Sequence, residues 1–292
     1  MSNELLQTAL AAAEAGAEVV RGYFRAADLE VREKAANDFV TAADTGSERA
    51  ILEVVRGRFP DHRILAEEGG GAEECGKGSS GGASRRNEVE WIIDPLDGTT
   101  NFARGLPMFA ISVACRRGGE MQVGVILEPL RREVFRGRRG GGAEWNGRPM
   151  RVSGAAGLAG AFLATGYPFK AHRALDAYLG VFREVFLQAR AIRRCGAAAL
   201  DLAYTAAGVF DGFFEFRLAP WDLAAGTLLL EEAGGRVSDL DGGTRSLETG
   251  NIVAGNEAVQ RELRHIVAAI VDEAALDRLD PRPPAAAPDP SV

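Results

Sequence analysis

The chain has 292 residues, 46% hydrophobic and 26% charged, long enough for one large domain or two compact ones around a sizeable core. Its formal charge of −7 makes the chain as a whole a poor partner for nucleic acid or an anionic membrane, and repels phosphorylated metabolites unless a cation is recruited locally. Three scattered cysteines (Cys75, Cys115, Cys195) and three scattered histidines (His62, His172, His265) exclude a disulfide framework or a clustered zinc or iron–sulfur site, and leave little for a Ser-His-Asp or Cys-His device.

The N-terminus reads as an amphipathic helix, with Leu5, Leu6, Leu10, Ala13, Val20 and Phe24 at helical spacing. A short strand is expected over Leu29–Glu33 and a second helix over Ala42–Phe59, ended by Pro60. Ile64–Glu67 is a brief apolar run that stops on two acids. Gly69–Asn87, rich in Gly, Ser and charge, reads as a surface loop without the spacing of a phosphate-binding loop. Val89–Asp94 is a strand running into a turn. Ala110–Arg116, Gln122–Leu127 and Glu133–Phe135 suggest antiparallel strands joined by short turns.

The uncharged stretch Val152–Phe169 has the length of a membrane span, but its glycines and Pro168 make it loop plus buried strand, with the strand at Ala161–Thr165. Arg173–Leu187 and Gly196–Gly208 follow as helices, Gly212–Phe216 as a buried strand, and Ala219–Gly234 as a helix opened by Pro220 and Asp222. The organisation expected is residues 1–150 as helices on an antiparallel sheet, 151–279 as an α/β subdomain, and a Pro/Ala-rich disordered tail over 280–292. No cationic, apolar leader opens the chain, and the free cysteines fit a reducing cytoplasm, which is the expected location.

The richest segment is Trp91-Ile92-Ile93-Asp94-Pro95-Leu96-Asp97-Gly98-Thr99-Thr100-Asn101-Phe102. A strand delivers Asp94, and the following turn can converge Asp94, Asp97 and the Leu96 carbonyl on one point. Those are hard oxygen donors of the type Mg²⁺ prefers. Gly98 and Thr99 then offer backbone N–H groups to an anion. Asp97 and its neighbours could equally be ordinary turn residues, and Asp44 and Asp222 ordinary helix caps.

These segments, with Glu67-Glu68 and Trp221-Asp222 through Gly234-Gly235, resemble the inositol monophosphatase family of magnesium-dependent, lithium-sensitive sugar phosphatases, from about Lys34 to Ala254. The resemblance implies a layered α-β-α-β-α fold (α+β / α/β), a homodimer, and a phosphorylated small metabolite as substrate; the acidic charge and the reading of Val152–Phe169 argue against a nucleic-acid and a membrane partner. The resemblance implies two to three Mg²⁺ per site: Glu67, Asp94 and the Leu96 carbonyl hold one, and Asp94, Asp97 and Asp222 another. A third, weaker ion sits near Glu67. Thr99 paired with Asp44 positions and deprotonates the attacking water, and Glu67 completes the catalytic set. Gly98 and Thr99 N–H groups grip the phosphate. Arg193, Gly196, Ala197, Ala198, Glu215 and Asp222 meet the rest of the substrate.

The expected reaction is hydrolysis of myo-inositol 1-phosphate or a related polyol phosphate by direct attack of water. Ala197 stands where many members carry Ser or Thr, and Tyr167-Pro168 where animal members carry serines, so the alcohol stays open. Fructose-1,6-bisphosphatase, histidinol-phosphatase and 3′,5′-bisphosphate nucleotidase activities are the alternatives. A regulatory RNA- or protein-binding homologue is the alternative of a different class. The stretch Arg116–Arg151 carries nine arginines against four glutamates, but without interleaved aromatics it reads as a solvated hairpin face.

Overall fold

The computed structural model describes residues 2–26, 31–35, 38–69, 88–168 and 172–272. The stretch 70–87, the tail 280–292 and the first part of the strand expected at Leu29–Glu33 lie outside them. The first half runs α1 (Ser2–Tyr23), β1 (Val31–Ala35), β2 (Asp38–Thr41), α2 (Ala42–Arg58), β3 (Arg63–Ala66), β4 (Val89–Asp97) and α3 (Thr99–Ala103). A meander follows: β5 (Ala110–Arg117), β6 (Glu120–Glu128), β7 (Glu133–Arg138), β8 (Gly142–Trp145) and β9 (Arg148–Pro149). The second half runs β10 (Phe162–Thr165), α4 (Leu175–Phe186), β11 (Ala191–Arg193), α5 (Ala198–Ala206), β12 (Gly212–Glu215), α6 (Pro220–Glu232), β13 (Arg236–Ser238), α7 (Ser246–Thr249), β14 (Ile252–Gly255) and α8 (Glu257–Ile270).

Two sheets organise these elements. One is seven-stranded in the order β3-β4-β5-β6-β7-β8-β9, antiparallel except that β3 joins β4 in parallel. The other is five-stranded in the order β11-β10-β12-β14-β13 and mixed. Strand side chains alternate between faces, and the sorting is visible in β4: Trp91 and Ile93 pack with α1 and α2, while Ile92 faces α5 and α6. In β12, Phe213 joins that middle layer and Phe214 the outer layer with α4 and α8. The result is the α-β-α-β-α stack, with α5 and α6 shared between the sheets.

Three hydrophobic cores fill the gaps between layers. Leu202, Leu228, Leu229, Phe213 and Ile252 are fully buried in the middle one. Each such side chain stabilises the fold by roughly 1.5–3 kcal/mol of removed apolar surface. Alanines and glycines on the middle helices let the layers close. A Cβ on Gly226 of α6 would lie within 2.7 Å of the Leu202 side chain of α5.

The structure departs from the sequence reading in several places. β4 continues three residues past Asp94 instead of ending there, because a one-residue irregularity absorbs Pro95. The helix expected at Arg173–Leu187 is a 3₁₀ turn at His172–Ala174 followed by α4. The sequence reading gives no element for β2, β8, β9, β11, β13, β14, α7 or α8. For α8 the signal was present: Asn256 caps it, accepting the Val259 N–H at 2.9 Å, and Val259, Leu263 and Val267 recur every four residues.

Candidate active site

The site forms where β4 ends against the N-termini of α5 and α6. In a regular strand Asp94 and Asp97, three residues apart, would face opposite sides of the sheet. Here Asp94 pairs with Ser112 and Asp97 with Ala110, so β4 carries one more residue than β5 between these pairs. The bulge restores Asp97 to the face of Asp94. Pro95, which has no N–H to give a ladder, is tolerated at such a position. The Leu96 N–H turns back onto Asp94 Oδ1 at 2.9 Å.

Asp222 arrives from the third position of α6, where it also caps the helix by accepting the Ala219 N–H at 2.7 Å. Asp94, Asp97 and Asp222 each present a carboxylate oxygen, all within 4.8 Å of one another. Asp94 is 1% exposed and Asp97 8%. Burial, then the charges of Glu67, Asp97 and Asp222, holds the Asp94 carboxyl well above the usual carboxylate range. Burial and Asp222 push Asp97 up to about 7, opposed by backbone N–H groups of Ala199, Ala198 and Leu200. Crowding acids in this way is costly without a counter-charge, and three converging hard oxygens are the donor set of a divalent cation such as Mg²⁺. Glu67 lies just past β3, half-buried, close enough to raise Asp94 but outside the triad.

Beside the triad, Thr99 opens α3. Its Oγ1 donates toward Asp44 Oδ1 at 2.8 Å, with the Leu96 carbonyl 3.0 Å away. Asp44 is fully buried, and its other oxygen accepts from the Thr41 N–H at 2.8 Å and the Thr41 hydroxyl at 2.6 Å. The helix-cap reading of Asp44 and the partner-of-Thr99 reading therefore hold together. Gly98 precedes Thr99 with φ at +92°, and a Cβ there would sit 2.9 Å from the Met108 carbonyl and 3.3 Å from the Ala197 Cβ. Only glycine fits that turn.

The Gly196–Ala198 segment faces this turn. Ala197 is 1% and Ala198 7% exposed, so both residues belong to the core behind the turn. Glu215 shares the inner face of β12 with Phe213 and is 8% exposed. Burial, then Asp201 and Asp222, holds its carboxyl well above the usual range, with Arg194 opposing. A Cβ on Gly166 would overlap the Glu215 carboxylate.

Of the paired arginines, Arg193 lies over the Phe162 ring, 4.8 Å from its centroid, whereas Arg194 lies 5.4 Å from the Tyr167 centroid and acts on Glu215. The cation beside Glu215 is thus Arg194, which the sequence reading had not singled out. It had also given no role to Asn101, whose side-chain amide donates to the Met108 carbonyl at 2.7 Å and the Cys195 carbonyl at 2.9 Å. That amide ties α3 to the Gly196 turn. Asp201, at the end of the segment from Arg193 that resembles the family's substrate-binding stretch, had no role of its own: it is buried beside Asp97, hydrogen-bonded to the Cys195 thiol and held well above the carboxylate range, chiefly by burial.

A five-layered α-β-α-β-α stack with an acidic cluster where a strand meets two helix N-termini is the architecture of the sugar-phosphatase folds. The chain belongs to the inositol monophosphatase family, which it matches over residues 1–275. It is 48% identical over 255 residues to the Nus factor SuhB of Pseudomonas aeruginosa, covering 86% of this chain and 91% of that protein. Among solved structures it is similar to the extragenic suppressor protein suhB of Bartonella henselae, at 40% identity and a TM-score of 0.80, covering 90% of this chain and 97% of the other. It is equally similar to the inositol monophosphatase of Anabaena (Nostoc), at 38% identity and a TM-score of 0.80, covering 94% and 98%. Among the described residues no helix is long and apolar enough to cross a membrane.

Proposed function

We propose that this protein is a Mg²⁺-dependent phosphomonoesterase acting on myo-inositol 1-phosphate or a related polyol phosphate. The observation that carries the reading is the convergence of Asp94, Asp97 and Asp222 within 4.8 Å, beside a Thr99 hydroxyl already donating to Asp44 at 2.8 Å. Glu67, Asp94, Asp97, Asp222 and the Leu96 carbonyl would hold two to three ions. Bound Mg²⁺ supplies charge neutralisation for the phosphate and a lowered pKa for a bound water.

The chain's own groups do the rest. Gly98 and Thr99 N–H groups orient the phosphate oxygens in a turn that no side chain can fill. Thr99 Oγ1 accepts a proton from the attacking water as its own passes to Asp44 Oδ1. The phosphoryl group moves directly to water as its P–O bond to the alcohol breaks, the alcohol leaving with a proton from solvent, so no nucleophilic Cys or His is needed. Glu215, with Arg194 beside it, selects the alcohol by accepting hydrogen bonds from its hydroxyls. Ala197 offers no hydroxyl, so the alcohol is read from the Glu215 side. We also expect a homodimer, Li⁺ inhibition and a cytoplasmic location.

The test is a panel of phosphomonoesters that includes fructose 1,6-bisphosphate, histidinol phosphate and adenosine 3′,5′-bisphosphate, each with a Mg²⁺ titration. Fastest turnover of inositol phosphate, abolished by Asp94→Asn, supports the reading. A wild-type protein inert on the whole panel overturns it.

A second reading is favoured by the name Nus factor carried by a relative of 48% identity: a regulatory role resting on a protein or RNA partner. Against a generic nucleic-acid face, the arginines at Arg116, Arg131, Arg136 and Arg139 are each paired with glutamates. Retained partner binding by Asp94→Asn would separate this role from catalysis.

A further inference from the structure

We infer that Glu48 is a positioning residue that sets the Glu67–Glu68 corner from α2, and through it the placing of Glu67 against Asp94. The inference rests on the function proposed above. Asp44, Ser47 and Glu48 are spaced i, i+3, i+4 and so share one face of α2. All three are buried, at 0%, 0% and 4% exposure. Each reaches a different segment of the site. Asp44 takes the Thr99 hydroxyl at 2.8 Å, Ser47 Oγ donates to the Pro95 carbonyl in the bulge at 2.8 Å, and Glu48 Oε2 accepts the Glu68 N–H at 2.8 Å. One helix face thus grips the turn, the bulge and the corner.

The corner depends on the last of these grips. The Glu67 N–H reaches the Ile93 carbonyl at 3.3 Å and the Gly69 N–H reaches the Ala66 carbonyl at 3.4 Å, so the bond to Glu48 is the shortest of the three backbone anchors there. The platform itself is fixed. Ile51 and Val55 of α2 are fully buried with Ala9, Ala12 and Ala13 of α1, and a Cβ on Gly16 would lie 2.6 Å from Ser47 Oγ. Shortening Glu48 therefore frees the corner rather than the helix. Burying an acid close to an already crowded acidic site does not favour the fold for its own sake. Its use is to hold a backbone N–H, and so the direction in which the adjoining Glu67 enters the site.

The experiment compares wild type, Glu48→Gln, Glu48→Ala and Glu48→Asp. Gln keeps an acceptor oxygen in place, Ala removes it, and Asp keeps the charge but draws the oxygen back by one methylene. Binding of Mn²⁺ is measured by EPR, and exchange of the Glu68 amide by hydrogen–deuterium exchange without metal. The expected result is wild-type behaviour for Glu48→Gln. For Glu48→Ala and Glu48→Asp, Mn²⁺ binding weakens about 10-fold or more, the size typical of groups that orient metal ligands, and the Glu68 amide exchanges faster. Should Glu48→Ala not fold, Glu48→Asp carries the comparison. Equal Mn²⁺ binding in the folded variants overturns the inference alone, as does a Glu48→Gln as weak as Glu48→Ala. A wild type that binds no Mn²⁺ overturns the proposed function and the inference with it.

Discussion

Asp97 Oδ2 accepts the Ala199 backbone N–H at 2.7 Å, so a carboxylate at the end of the larger sheet caps a helix of the middle layer. The same side chain belongs to the acidic triad. One carboxylate therefore serves both a helix cap and the acidic triad, and the two contributions can be separated.

Asp97→Asn keeps an oxygen for the Ala199 N–H and removes one charge from the triad. The metal-free variant is expected to melt at the wild-type temperature or about 2–4 °C above it, the shift that ~1 kcal/mol produces in a chain of this size. The added stability that Mg²⁺ gives wild type should vanish, and phosphatase activity with it. Differential scanning fluorimetry with EDTA and with Mg²⁺ reads both. A metal-free variant much less stable than wild type would show that the cap needs the full charge.

The pH dependence follows from the same group. Asp97 titrates at about 7 in the folded chain against an ordinary 3.8. The folded state therefore keeps a proton that the unfolded chain gives up between those values. Stability from that proton is complete below about 4 and lost as pH climbs through about 7. Burial holds Asp94 and Glu215 high and adds in the same direction. In EDTA the melting temperature should fall from pH 5 to pH 8, and Mg²⁺ should reduce or reverse the fall. A melting temperature that rises over this interval in EDTA would contradict the picture.

Gly98→Ala meets two penalties at once. The φ of +92° costs an alanine roughly 1–2 kcal/mol, and its Cβ would press on the Met108 carbonyl at 2.9 Å. Thermal unfolding should show a loss of a few degrees, and turnover should drop far more than stability, because Thr99 moves with the turn. Gly119→Ala, also at positive φ but with no atom within 4 Å of the new Cβ, serves as the strain-only control.

The two arginines before Cys195 should behave differently. Arg194→Ala removes the cation beside Glu215 and is expected to raise KM for the phosphomonoester by about 5- to 20-fold, the loss of one charged hydrogen bond. Arg193→Ala, which uncovers only Phe162, should leave KM within about twofold. Steady-state kinetics on both variants decide it, and the reverse pattern would assign the substrate contact to Arg193.

Much of this arrangement was legible in the chain. The layered fold followed from resemblance, and the acids Asp44, Asp94, Asp97 and Asp222 each stood at a strand end or helix start where a carboxylate has a reason to be. What was not legible depended on distance through space. Arg193 and Arg194 are adjacent and chemically alike, and only the direction of β11 decides which one faces Glu215. Asp201 closes the segment from Arg193 that resembles the family's substrate-binding stretch, and only the fold places it beside Asp97. Glu48 carries no signal in the sequence, because its partner is the N–H of a residue 20 positions on. Short elements such as β9 and β13 carry too few residues to show a period.

The extra residue in β4 makes the active site a matter of parity. Straightening β4 with the three-residue spacing kept would turn one of the two acids toward α1 and α2 while leaving every side chain of the triad in the sequence. The acidic cluster is thus a property of how β4 pairs with β5 as much as of the aspartates it carries.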